Sequence, residues 1–302
     1  MKLHYADHFV LPLPAGHRFP MDKYARLRER LQSLPQFDEA DFVVPAAASE
    51  EEILVAHCPD YLARVVEGSL DAAEQRRIGF PWSSGMVERS RRSAGATLSA
   101  CRAALREGSS ANLAGGTHHA HRDFGSGFCV FNDAAIAALQ LRTEGCVERV
   151  AIIDCDVHQG DGTAAILAEV PEVFTFSMHG AKNFPFRKMR SDLDIELADG
   201  TGDEDYLAAL ADGLAVVFRR LTPDLVIYLA GADPYREDRF GRLGLSIEGL
   251  GRRDEYVIAQ CLDRNIPLAI AMAGGYARDT ADTVTIHSNT IVTAATMLHA
   301  GG

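Results

Sequence analysis

Four short stretches of this 302-residue sequence bring together acids, imidazoles and a phenol at spacings that suit reactive chemistry. The densest is Asp154-Cys155-Asp156-Val157-His158-Gln159-Gly160-Asp161-Gly162, directly after an apolar run. Continued as an extended strand, it would place Asp154, Asp156 and His158 on one face, because side chains alternate. Two carboxylates and an imidazole suit a divalent transition metal. The same residues also suit a strand-end turn with capping aspartates. Asp233, in Gly231-Ala232-Asp233 at the end of a separate apolar run, supplies a third ligand. Three protein ligands plus water is the open arrangement of catalytic zinc, so Asp156, His158 and Asp233 are assigned to the metal. Adjacent His118 and His119 sit in the glycine-rich Gly115-Gly116-Thr117-His118-His119. Beside a metal, one imidazole can take a proton from water while the other carries charge or donates to a leaving amine. Asp154 and Asp161, left over from the metal count, fit as the carboxylates that fix tautomer and basicity. Finally, Gly274-Gly275-Tyr276 lets the backbone pass close to a ligand and offers a phenol. That phenol could donate to a scissile carbonyl and stabilise an oxyanion.

Positioning these groups requires strand ends. Apolar runs at 111–114, 150–155, 173–178, 225–230 and 267–273 are short, apolar on both faces and bounded by Gly or Pro. They read as buried parallel strands. Helical patterns fall at 23–34, 50–55, 59–67, 86–105, 133–142, 162–169, 203–221 and 250–264. Strands alternating with helices of this length predict a doubly wound α/β sheet whose ligands bind beyond the strands' carboxyl ends. Every strand-like run except 173–178 leads straight into one of the four reactive stretches. No repeat, linker or boundary divides the chain, so a single domain over 1–302 is expected.

Composition narrows the class. Apolar residues make up 47% and charged residues 24%, as in ordinary globular proteins. A net charge of −12 disfavours nucleic acid and anionic membrane surfaces as partners, and would mildly attract a cationic substrate. The first ten residues hold no signal-peptide core, and no apolar run reaches membrane-helix length. The six cysteines form no CxxC pair, so a reducing cytoplasm fits.

The motifs, in order, resemble those of histone deacetylases. Gly115-Gly116-Thr117-His118-His119-Ala120 and Gly127-Phe128-Cys129-Val130-Phe131-Asn132-Asp133 look like that family's histidine-pair and tunnel motif. Asp154-x-Asp156-Val157-His158-Gln159-Gly160-Asp161-Gly162-Thr163 resembles its metal loop. Ala230-Gly231-Ala232-Asp233, then Arg239-x-Gly241-x-Leu243-Gly244-Leu245-Ser246, then Gly274-Gly275-Tyr276 complete the set. His17-Arg18-Phe19-Pro20-Met21 and the short length are similar to the bacterial and class IV branch. The resemblance implies a three-layer arginase/deacetylase-like fold, with a mostly parallel sheet of about eight strands. It also implies hydrolysis of N-acyl-lysine using zinc, with iron(II) able to take the same ligands. It places Asp154 behind His118 and Asp161 behind His119, with His118 and His119 as the proton-transfer pair and Tyr276 as carbonyl donor. Gly127, Phe128, Phe184, Gly274 and Gly275 would line the acyl-lysine tunnel. A structural K⁺ or Na⁺ would be held by Asp154, Asp156, His158 and Ser177. The stretch Gly79-Phe80-Pro81-Trp82-Ser83-Ser84-Gly85 departs from the family in lacking the aspartate with which many members grip the substrate backbone, and residues 182–190 are atypical.

Three other readings compete. A dinuclear manganese ureohydrolase on the same fold needs further carboxylates, yet Gly160, Gly231 and Tyr235 stand where they would be. A deacylase acting on acetylpolyamines or other acylated small amines would keep the chemistry and change the substrate. A silent acyl-lysine-binding module would be expected to lose a ligand, a histidine or the tyrosine, and all are present.

Overall fold

The computed structural model describes residues 1–14 and 16–300. Eight strands form one sheet: β1 (Lys2–His4), β2 (Phe42–Val43), β3 (Ser109–Asn112), β4 (Val150–Asp154), β5 (Val173–Gly180), β6 (Leu193–Leu197), β7 (Leu225–Leu229) and β8 (Leu268–Ala271). The helices are α1 (Lys23–Gln32), α2 (Glu50–Leu54), α3 (Pro59–Glu67), α4 (Ala72–Ile78), α5 (Ser84–Glu107), α6 (Asp133–Thr143), α7 (Asp161–Leu167), α8 (Asp203–Arg220), α9 (Ile247–Leu262) and α10 (Thr280–Ala300). The sheet order is β2-β1-β3-β8-β7-β4-β5-β6, and every pairing is parallel.

Both faces of the sheet are covered, which explains why its strands read as continuous apolar runs. Along β4, Ala151 and Ile153 enter one core with residues of α1, α8, α9 and α10. Val150 and Ile152 enter the other, with residues of α2, α3, α5 and α6. The result is the three-layer α/β arrangement expected from the motifs. β3, β8, β7 and β4 are consecutive neighbours in the sheet, so their carboxyl ends stand side by side. These are the four strands that lead into the reactive stretches.

Five strands and eight helices fall where the sequence places them, with ends shifted by a few residues. β1, β2 and β6 lack an apolar run: β1 and β2 are two or three residues long, and β6 is an edge strand with a polar, half-exposed face. α4 is charge-rich but is started by Asp71, whose side chain accepts from Ala73 N and Glu74 N. α10 is rich in Thr, Val and Ile, which disfavour helix, but it packs along α9 and α1, and burial overrides propensity. Among the described residues, no helix is long and apolar enough to cross a membrane.

His4 on β1 is buried with neither ring nitrogen hydrogen-bonded. Burial first, then the charges of Arg106 and Lys2, lower its pKa from 6.5 to about 4. The fold therefore accepts only neutral imidazole. Its stability is intact above pH 6.5 and falls as pH drops from 6.5 to about 4, by up to about 3 kcal/mol from this group. In urea titrations, His4→Leu should flatten that slope and be more stable than the parent at pH 5; an unchanged slope would clear His4 of the effect.

Candidate active site

β4 ends at Asp154, and the chain turns there rather than continuing extended. Asp154, Asp156 and His158 still converge, but through a relay of side-chain-to-backbone bonds rather than by pleat. Asp156 N donates to Asp154 Oδ1 (3.1 Å), and His158 N donates to Asp156 Oδ1 (2.9 Å). Asp233, three residues beyond Ala230 in the turn after β7, accepts Val157 N on Oδ1 at 2.9 Å. One ligand atom each from Asp156, His158 and Asp233 lies within 4.8 Å of the others, the only such cluster of acids, imidazoles or thiols among the described residues. His158 Nδ1 is 2.9 Å from Asp156 Oδ1 and 3.2 Å from Asp233 Oδ2.

The electrostatics of this cluster suit a cation. Burial, then the charge of Asp156, pushes Asp233 up to about 7. Burial works against Asp156 too, but His118 and His158 hold it well below the usual carboxylate range. Burial opposes charge on His158, yet its hydrogen bond to Asp156 and the adjacent Asp233 carboxylate lift it to about 10. Asp233 Oδ2 is fully buried and accepts no aligned hydrogen bond. A carboxylate oxygen left without a donor is costly unless something positive meets it. Two carboxylates and an imidazole aimed at one point fit a divalent metal.

The two histidines are braced from behind. His118 Nδ1 is 2.6 Å from Asp154 Oδ2, and His119 Nδ1 is 2.6 Å from Asp161 Oδ1. With each Nδ1–H donating to a carboxylate, the free Nε2 atoms are left to exchange protons. Burial lowers both, but Asp154 and Asp156 raise His118 to about 9. His119, beside charged His118, falls to about 4 despite Asp161. Asp161, which also takes His121 Nε2 at 3.0 Å, stays well below the usual range even though burial opposes its charge. Tyr276 is buried, and that burial raises its pKa well above 10, so the phenol keeps its proton as a donor.

Three supports were not legible in the sequence, because their partners are remote backbone groups. Asp133, at the start of α6, receives Gly116 N and Thr117 N (both 2.8 Å) and so fixes the turn carrying the histidines. Asp238 receives Phe240 N, Gly241 N and Tyr276 N (2.8, 2.9 and 2.6 Å), tying the loop after β7 to the tyrosine. Arg253 of α9 is fully buried and donates to Cys155 O and Gly231 O, clamping the turns that carry Asp156 and Asp233. Asp133 at least closes the motif Gly127–Asp133, whereas nothing local points to Arg253 or to this role for Asp238.

A cavity of about 780 Å³ reaches this cluster. His118, His119, Gly127, Phe128, Asp156, His158, Phe184, Gly274 and Tyr276 line it, while Asp154, Asp161 and Asp233 lie behind. Phe184 packs edge-on to His119 at 4.9 Å, and Phe240 to Tyr276 at 4.9 Å. Gly274 lies so close to two carboxylates of the cluster that a Cβ there would strike Asp233 Oδ2 and come within 2.6 Å of Asp156 Oδ2. Gly275, expected beside Gly274 in the tunnel wall, is turned the other way. It is not a wall of the cavity: its α-carbon faces Thr283, Ala232 and His287, and its carbonyl accepts Lys23 Nζ at 3.2 Å. Ser177 lies opposite Asp154 in the β4–β5 register.

Residues 17–291 match the family model described as the histone deacetylase domain. The chain belongs to the histone deacetylase family. It is 43% identical to an uncharacterized protein of Picosynechococcus sp., over 94% of this chain and 95% of that one. It is 33% identical to histone deacetylase 2 of Arabidopsis thaliana, over 88% of this chain and 71% of that protein. A crystal structure of an HDAC homolog complexed with SAHA superposes with a TM-score of 0.79 at 22% identity, covering 99% of this chain and 88% of that one. Family membership makes the chain a deacetylase-type hydrolase, and the shared fold is the arginase/deacetylase one.

Crowded buried carboxylates destabilise the metal-free state. Asp233→Asn removes one charge yet keeps an oxygen for Val157 N. With chelator present, this variant should exceed the parent by on the order of 1 kcal/mol in denaturant titrations, and it should lose any rise in Tm on adding Zn²⁺. A metal-free variant weaker than the parent would contradict the crowding account.

Proposed function

We propose that this chain is a metal-dependent lysine deacylase, with residues 1–302 forming one catalytic unit. One observation carries the reading: a metal-type ligand cluster, two carboxylate-braced imidazoles and a protonated phenol meet at the inner end of one aromatic-walled cavity. An acyl-lysine is an extended aliphatic chain ending in an amide, the shape such a slot accommodates. The SAHA ligand named for the structural relative supports a pocket for a long, narrow ligand.

Asp156, His158 and Asp233 would hold Zn²⁺, or Fe²⁺, which shares these ligand types. When bound, such an ion polarises a carbonyl and acidifies water. Tyr276 donates its phenolic proton as a hydrogen bond to the acyl oxygen and stabilises the charge that develops there. The Nε2 atoms of His118 and His119 take the proton lost by the attacking water and return one to the departing lysine amine. Asp154 and Asp161 keep each Nδ1–H in place during the exchange. Phe128 and Phe184 hold the aliphatic stem and keep bulk water out. We assign a structural K⁺ or Na⁺ to Asp154, Asp156, His158 and Ser177. A second metal, as in ureohydrolases, finds no second ligand cluster among the described residues.

The test is release of acyl groups from a panel of acyl-lysine peptides and acetylpolyamines by Zn²⁺-loaded protein, with and without chelator. Chelator should abolish turnover and lower Tm, and Zn²⁺ should restore both. Tyr276→Phe should lower kcat about 10²-fold while keeping the Tm response to Zn²⁺. Turnover near the parent's in that variant would remove the phenol from the mechanism.

A further inference from the structure

The mouth of the cavity carries the opposite charge to the chain. The protein has a net charge of −12, yet seven Lys and Arg side chains line the cavity against a single carboxylate, Asp156 at its inner end. The outer cations come from four separate segments: Arg18 before α1, Arg76 and Arg77 ending α4, Lys182 after β5, and Arg239 and Arg242 after β7. Chain-wide charge is therefore a poor guide here, because a substrate meets the local field.

Little of this charge is neutralised by the protein. Lys182 and Arg242 share one carboxylate, Asp199, at 3.7 and 3.2 Å. Arg77 lies over the ring of Phe124 at 4.7 Å, and Arg239 donates to Ala277 O at 3.3 Å. Among the described residues, Arg18 and Arg76 have no carboxylate within ion-pair distance. Beside them Phe186 is 87% exposed, an unusual position for a large apolar ring unless something is laid over it. The loop 79–85 near this rim contains no acid. Deeper in, the walls are aromatic, with Phe128, Phe184, Phe240 and Tyr276. The positive charge thus faces whatever lies outside the tunnel.

We propose that the substrate is a protein or peptide segment in which the acyl-lysine is flanked by Asp or Glu. This rests on the deacylase reading and narrows its substrate. The lysine stem enters between the phenylalanines, the flanking carboxylates meet the arginine rim, and Phe186 packs on the segment's apolar atoms. A polyamine, which stays cationic outside the tunnel, is repelled by the same rim.

The experiment compares peptides of one acyl-lysine flanked by Asp/Glu, by Ala/Gly or by Lys/Arg, together with a capped acyl-lysine amide. At low salt, kcat/KM for the acidic peptide should exceed the neutral one by about tenfold, mostly through KM, and the gap should close near 0.5 M salt. In Arg76→Glu/Arg242→Glu the ratio of acidic to basic peptides should invert; read as a ratio within the variant, it is insensitive to loss of folded protein. Equal or better turnover of neutral, basic or acetylpolyamine substrates at low salt would overturn the proposal, as would an unchanged ratio in the variant. If even the capped amide is not hydrolysed, the deacylase reading fails. Anisotropy of labelled acidic and neutral peptides, binding alike or not, then decides the charge preference by itself.

Discussion

The structure turns on the cost of holding acidic side chains together without water. Asp154, Asp156 and Asp233 are all buried at the ends of neighbouring strands. Like charges at such separations repel strongly in a medium of low dielectric, and each also loses its hydration. The surrounding protein offsets this with donors: Val157 N, His158 N and Gly274 N from the backbone, His118 from the side, and Arg253 gripping the carbonyls of both turns. Arg253 is itself held by Asp254, which also takes Tyr228 Oη and Thr290 Oγ1. The site is thus anchored through α9 into α10, well behind the reacting groups. What these donors leave unmet, at Asp233 Oδ2, is a buried carboxylate oxygen without a donor.

The same logic explains the glycines. Gly274 is pressed against the two carboxylates with its N–H on Asp156 Oδ2 at 2.7 Å, a distance no side chain at that position would permit. Gly127, at φ 54°, brings the backbone against the ring of His119, where a Cβ would lie 2.7 Å from Cδ2. Close packing of backbone on functional side chains fixes their orientation better than flexible side-chain contacts could.

Much of the site was readable because its chemistry is concentrated at strand ends. The run 150–153 announces a buried strand, and the acids and imidazole after it have few other uses in such company. His118, His119, Asp233 and Tyr276 follow the same rule. Long-range geometry was not readable. The pleat argument for residues 154–158 gives the right convergence by the wrong route, since the chain turns after Asp154. Gly275 shares a motif with a wall residue but faces α10. Asp238 is one acid in a charged loop until folding delivers three N–H groups to it. The arginine rim is drawn from four distant segments, so neither local pattern nor total charge reveals it. α10 hides behind β-branched residues whose helix is made stable by its neighbours.

The strand order also bears on how the molecule comes into being during synthesis. β3 and β4 emerge in sequence, yet in the sheet they are separated by β8 and β7, which come later in the chain than either. Until then the growing chain holds two three-stranded portions, β2-β1-β3 and β4-β5-β6, with no direct hydrogen bonding between them. The closing pair brings Asp233 and Tyr276 with it. The complete cluster must therefore wait until β7 and β8 have been made, and a ribosome-bound fragment that stops short of them carries His118, His119 and His158 without Asp233 or Tyr276.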